Sequence, residues 1–237
     1  MIALVHLIPV LVFSYSAENV SARSPLVRPG YLLTVLATTV ILLHALAFPS
    51  NVSNMATARL YFRLGKDSLQ FLDVLPPQPA ITEYSCPDYA KFKRNADALN
   101  KLNVRNDDFV KTTRLADFKL NPQPDCGSIE SAQKTGNRIY LSGWAMSADH
   151  KAAADCVLFT YQGPGIEPTI LGLMDGRSDR SDLIEKFHSR NYFQAGWDKT
   201  IDEKDLPQGK LELKAFVYDD QTRQLTPLDK TITISNP

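Results

Sequence analysis

The sequence predicts a mainly β protein. Its expected parts are a C-terminal antiparallel β-sandwich, Ig-like or jelly-roll-like, a helical neck before it, and an N-terminal transmembrane helix or helices. Three observations predict this. An unbroken apolar run, Tyr31 to Phe48, precedes sequence of ordinary soluble polarity. Apolar residues between Thr57 and Asn103 recur at helical spacing. From Arg138 onward the period becomes two, as a half-buried strand requires.

The apolar run comes first. About 18 residues at about 1.5 Å each give roughly 27 Å of helix, close to the hydrocarbon thickness of a bilayer. The run YLLTVLATTVILLHALAF holds no Lys, Arg, Asp or Glu, and His44 is its only titratable group. Its Leu, Ile, Val and Phe side chains outweigh its Thr and His on an insertion scale. Residues 31–49 therefore read as a transmembrane helix, with the lipid bilayer as partner. An earlier apolar stretch, Met1 to Phe13, is too short to span and lacks a basic n-region. Residues 1–16 read as a partial or short apolar helix, as if the chain were the end of a longer polytopic protein. Other membrane helices are then partners too. Arg23 and Arg28 place the link between the apolar segments in the cytoplasm and the tail outside. Arg59, Arg63 and Lys66 argue for the reverse; the outside tail is the reading adopted.

Composition narrows the partners. With 26 basic and 26 acidic residues the formal net charge is zero. No electrostatic case exists for nucleic acid or for anionic lipid. The cysteines are Cys86, Cys126 and Cys156, at a spacing that fits neither a zinc ribbon nor a redox pair. Cys156, in CVLFTY, reads as a buried thiol. Cys86 and Cys126 lie in loop-like, proline-flanked segments, where a disulfide and two free thiols are both open readings. Asn19-Val-Ser and Asn51-Val-Ser match a glycosylation sequon that chance also produces.

Residues 57–120 read as the helical neck. Leu60, Leu64, Phe71 and Leu75 form an apolar stripe with Arg63, Lys66 and Asp67 between them, and Pro76-Pro77 ends the helix. A second helix is expected from Pro87 to Asn103. Tyr89, Phe92, Ala96, Leu99 and Leu102 supply its apolar stripe, and Lys91, Lys93, Arg94 and Lys101 a solvated face. Residues 121–137 (NPQPDCGSIESAQKTGN) read as a linker.

The sandwich is expected over residues 138–237. RIYLSGW, KLELKAFVY and KTITIS alternate, while Cys156–Tyr161 and Thr169–Met174 are apolar strands. Gly163-Pro164-Gly165, Asp175-Gly176, Pro207-Gln208-Gly209 and Asp219-Asp220 mark turns. One helical patch, Ser181 to Phe187, interrupts the strands, with Ser178 or Ser181 as its expected cap.

No catalytic signature is present: the sequence lacks a nucleophile elbow, HExxH, a P-loop and GxGxxG. No catalytic residue, metal or cofactor is expected. Two groups of residues remain as ligand-binding candidates. In the first, Asp179, Arg180 and Asp182 sit with Asp175 and Arg177 in an acidic loop. They read either as an Arg-Asp network, which the planar guanidinium suits, or as a sugar-binding or calcium-stabilised rim. The spacing does not match an EF-hand. In the second, Trp144, Tyr192 and Trp197 read either as sandwich core or as a sugar-stacking face beside Phe193.

The order of short motifs resembles a known pattern. Gly143-Trp144-Ala145 is followed by Arg180-Ser181-Asp182, Ala195-Gly196-Trp197, Leu206-Pro207-x-Gly209 and LELKAFVYD. Upstream, ARLYFRLGKDSLQFLDVLP leads to Cys86-Pro87-Asp88-Tyr89. From Tyr31 onward this resembles the C-terminal tail of multi-spanning bacterial, cyanobacterial-type membrane proteins of unassigned or glycosyltransferase-like function. The resemblance implies a bacterial inner-membrane location, a periplasmic tail and a non-catalytic sandwich. The leading expectation is a membrane-anchored interaction or accessory domain. A carbohydrate-binding accessory module for envelope glycan is the alternative, and a small hydrolase using the acidic loop the second.

Overall fold

The computed structural model describes residues 29–82, 88–102, 109–122 and 125–236. The chain divides into two units, Met1–Ala56 and Thr57–Pro237, whose boundary falls within one long helix, α1 (Pro29–Gln70). In the first unit Leu36, Ile41, Leu42, Leu43 and Met55 are all exposed. Among the described residues no helix is long and apolar enough to cross a membrane. The side chains of residues 31–35 and 44–50 lie outside the description, and with them much of the expected anchor at 31–49. The segment expected at 1–16 lies wholly outside it.

The second unit is mainly β. After α1 come α2 (Pro79–Thr82), α3 (Tyr89–Lys101), β1 (Lys119–Leu120), β2 (Gly127–Thr135) and β3 (Arg138–Ala145). Next are β4 (Cys156–Gly163), β5 (Ile166–Leu173), β6 (Gly176–Ser178) and α4 (Ser181–Phe187). The chain ends with β7 (Gly196–Asp202), β8 (Gly209–Asp219), β9 (Gln224–Pro227) and β10 (Ile232–Asn236). One sheet has six strands in the order β1-β9-β8-β4-β5, with β10 also paired to β8. The other has four, β2-β3-β7-β6. The pairs are antiparallel except β1 on β9, which is parallel and corrects the all-antiparallel expectation.

The sheets share one core. Val157, Phe159, Ala215 and Val217 from the larger sheet join Ile129, Ile139, Leu141, Trp197 and Ile201 from the smaller. Phe159 and Trp197 meet edge to face, with ring centroids 5.2 Å apart at 69°. Gly143 makes room for this. A Cβ at that position would lie 2.5 Å from Trp197 Cζ2 and 2.1 Å from the Ser128 carbonyl oxygen.

The larger sheet is also covered on its other side. Every residue of β4 from Cys156 to Thr160 is buried, and a strand buried on both faces needs a layer over each. The end of α1 supplies the second layer. Leu64, Asp67, Ser68 and Phe71 recur at helical spacing and are all buried. Phe71 packs edge to face on Tyr218 with centroids 5.1 Å apart, and the Tyr218 hydroxyl donates to Gln70 Oε1.

Several expectations change as a result. Residues 57–120 are not a separate neck: Leu64, Phe71, Leu75 and Val110 lie in the same core as the strands. Residues 121–137 are not a linker, because they carry β2. Only Gly127 and Ile129 of that strand are fully buried, so an edge strand with two inward positions kept the composition of a loop. At α4 the N-cap is Arg180 with no side-chain cap bond, in place of Ser178 or Ser181.

Candidate functional site

The acidic loop is a closed ion network. Arg180 Nε and Nη2 donate to the two oxygens of Asp182 at 2.8 and 2.6 Å. Its Nη1 and Nη2 donate to Glu130 of β2 at 2.9 and 3.1 Å. The guanidinium thus holds two carboxylates by paired bonds, the geometry for which Arg is suited. These bonds hold the Asp182 carboxyl below its ordinary range. Asp179 Oδ1 accepts from Gln194 Nε2 at 3.3 Å. The network fastens α4 to the edge strand β2, and it leaves no forked donor turned toward a ligand.

The aromatic candidates separate. Trp197 is 1% exposed and belongs to the core, which corrects its reading as a ligand-binding residue. Tyr192 is buried as well, and its hydroxyl donates to the His150 carbonyl, which corrects that assignment too. Trp144 is half-buried, with Phe187 6.1 Å away and Lys186 Nζ 5.6 Å above its ring. Alternation explains the split: Trp144 and Trp197 are one register step apart, across β3 and β7 (Gly143 pairs Trp197), so they face opposite sides of the sheet. Cys86 lies outside the described residues, and the expected Cys86–Cys126 pairing with it. Cys126 is buried, its sulfur 3.4 Å from His150 Nε2, and burial pushes its thiol up. Cys156 is buried, as the apolar run around it predicts.

A groove of about 790 Å³ opens beside β7, walled by Tyr61, Pro76, Pro77 and Pro79 on one side. Its floor holds a buried ion pair. Lys199 Nζ donates to Asp175 Oδ1 at 2.6 Å, and the Thr200 N–H donates to Asp175 Oδ2 at 2.7 Å. Asp175 directly precedes the short β6 and satisfies a strand-edge donor that a longer β6 would pair. Gln78 completes the floor: its Oε1 accepts from the Leu173 N–H at 3.1 Å and its Nε2 donates to the Pro76 carbonyl at 2.7 Å. Desolvation and the nearby Asp175 raise the Asp198 carboxyl above its ordinary value.

A second concentration of charge lies under α1. Arg63 Nη1 donates to both oxygens of Asp155 at 2.8 Å, and Lys66 Nζ donates to Asp220 Oδ2 at 2.6 Å. Between these pairs Asp67 is 2% exposed, and its Oδ2 has no hydrogen-bond partner among the described residues. Burial, with Asp220 and Asp155 nearby, pushes its carboxyl up to about 8. Arg177 reaches toward this seam and donates to the carbonyls of Gln194 at 3.1 Å and Ala154 at 2.7 Å, and to that of Asp155. Burial lowers its guanidinium from the ordinary value.

Chemically, the ion pair in the groove and the forked Arg180 are engaged internally. Asp67 is the most perturbed carboxyl, but it faces a packed interface and not a cleft. Among the described residues no group of three or more His, Cys, Asp or Glu is placed to hold a metal ion. Lys199 and Gln78 have no signal in the sequence, and Asp67, expected between the apolar positions with Arg63 and Lys66, is buried instead. Asp67 carried a signal, since it follows Leu64 by three positions and precedes Phe71 by four, inside the stripe that was expected to be apolar.

No family model matches this chain, and no curated protein does. Among solved structures it is similar to a superoxide reductase from Nanoarchaeum equitans, at 17% identity and a TM-score of 0.30. The likeness covers 48% of this chain and 99% of that one. At that score it carries no argument about fold or chemistry.

Proposed function

We propose that this chain is a membrane-anchored, extracytoplasmic interaction or accessory domain without catalytic activity of its own. It is the C-terminal part of a polytopic bacterial membrane protein, and its two facing sheets form an Ig-like or jelly-roll-like sandwich. One observation supports the reading above the others. The helix whose C-terminal turns are buried in the core also carries Tyr31–Phe48, where Ile41, Leu42 and Leu43 are 68%, 54% and 60% exposed. Water is a poor solvent for such a surface, and lipid a good one. The engaged state of Arg180, Asp182 and Lys199 supports a structural and not a catalytic module. With Trp197 and Tyr192 buried, the sugar-stacking face loses two of its four rings and keeps Trp144 and Phe193.

Fractionation tests this reading. The full chain is expected to sediment with membranes, to resist alkaline carbonate and to need detergent for release. Recovery as a dispersed monomer in detergent-free supernatant overturns the anchor. Protection of Cys86 from an impermeant thiol reagent in intact spheroplasts, with labelling after lysis, overturns the outward tail.

A further inference from the structure

Helix α3 has two unlike sides. On the inner one Ala96 is buried, and Tyr89 and Phe92 pack with Leu72, Ile81 and Phe109 in a small satellite core. Lys93 also belongs to this side: its Nζ lies 3.5 Å from Asp73 Oδ1 and 3.4 Å from the Leu72 carbonyl oxygen. At about 100° per residue, Lys91, Arg94, Asn95, Ala98, Lys101 and Leu102 share the opposite half of the wheel, with Leu99 at its margin. All of them are exposed. Asp97 falls on the flank, half-buried.

The leucines make this face unusual. Sequence spacing placed Leu99 and Leu102 in the buried stripe, but they are 44% and 70% exposed. They stand beside Lys91, Arg94 and Lys101, none of which forms an ion pair among the described residues. A protein-binding face is commonly built around Trp, Tyr or Arg anchors; this one has no aromatic anchor, and Arg94 is its one residue of that kind. Cations whose long stems run beside exposed leucines match a layer with anionic headgroups above and acyl chains below.

The geometry points to the outer face of α3 as a docking surface for an anionic phospholipid headgroup layer. Lys91, Arg94 and Lys101 meet phosphate oxygens, while Leu99 and Leu102 enter the headgroup–acyl boundary. The proposal rests on the membrane reading above. Each cation near an anionic surface contributes about 1 kcal/mol, so three give a preference of roughly a hundredfold over a neutral bilayer. High salt removes that preference as the screening length shrinks.

The test is amide hydrogen exchange on the full chain in nanodiscs of phosphatidylcholine, with and without phosphatidylglycerol. Peptides spanning 88–102 are expected to exchange at least about tenfold more slowly in the anionic discs. High salt and the variant K91E/R94E/K101E should each abolish the slowing. That variant should keep its unfolding temperature, because the altered groups are exposed. Equal exchange in both discs overturns the proposal, as does slowing that survives charge reversal. Slowing that grows with protein concentration in detergent without lipid assigns the face to a second copy and also overturns it. Residues 31–49 in the same spectra report the anchor separately: fast exchange there in both discs sinks the membrane reading, whatever α3 does.

Discussion

Trp197 occupies the space that any side chain at Gly143 would need. A Cβ there would lie 2.5 Å from the indole Cζ2 and 2.1 Å from the Ser128 carbonyl oxygen. The Gly-Trp pairing across β3 and β7 is thus a packing device linking the two sheets, with Phe159 against the same indole.

Gly143→Ala is therefore expected to destabilise the fold by about 1–3 kcal/mol or more, since neither the indole nor the backbone carbonyl can retreat. Trp197→Ala should cost about 3–5 kcal/mol through the cavity it leaves. Urea unfolding of both variants checks this. A Gly143→Ala midpoint indistinguishable from the parent would show that the indole is not wedged there.

Much of this architecture was legible in advance, for a physical reason. Strands β3, β4 and β8 carry their burial in their own alternation or apolar runs, and α3 and α4 fall where spacing put them. Strands β2, β6 and β7 did not announce themselves. The first is an edge with few buried positions, the second is three residues long, and GWDKTID buries Lys199 through a tertiary partner that spacing cannot see. The candidate residues were half legible for the same reason. Alternation puts Trp144 and Trp197 on strands but does not say that a second sheet closes over only one of them. Of the two readings of Arg180, its bonds fit the carboxylate network, although its partner Glu130 lies within residues 121–137, whose composition is that of a linker.

Arg180 should behave as a fastener. Arg180→Ala removes paired bonds to Glu130 and Asp182, whose side chains are 45% and 61% exposed, so the loss is expected at about 1–2 kcal/mol. Asp179→Ala, with one long bond to Gln194, should stay within about 0.5 kcal/mol of the parent. Thermal unfolding of the two variants separates these cases. If Asp179→Ala proved the more costly, the acidic loop would hold something other than its own guanidinium.

The Lys199–Asp175 pair makes a stronger claim, because both side chains are largely buried, at 9% and 17% exposure. Removing one partner strands the other. Lys199→Met is expected to cost about 3–5 kcal/mol, and the double variant K199M/D175L clearly less than the sum of the two singles. A double-mutant cycle in urea measures the coupling. Additive losses would mean that the contact at 2.6 Å contributes little beyond packing.

Asp67 gives the fold a pH signature whose direction follows from its raised value. Its carboxyl titrates near 8 in the folded chain, against the ordinary 3.8 that it regains on unfolding. The folded state therefore binds the proton more tightly. Between about pH 4 and pH 8 the unfolded chain carries less of it, and stability falls as pH rises. Below that window ionisation adds no cost. Above it the full cost of burying a carboxylate beside Asp155 and Asp220, on the order of a few kcal/mol, is present and constant. Asp67→Asn keeps the shape and removes the titration. The variant should be the more stable protein at pH 7–8, and its unfolding temperature should change less between pH 5 and pH 8 than the parent's. Scanning calorimetry of both across that range checks the sign, and a parent that gains stability from pH 5 to pH 8 relative to the variant would place Asp67 ionised in a site that favours its charge.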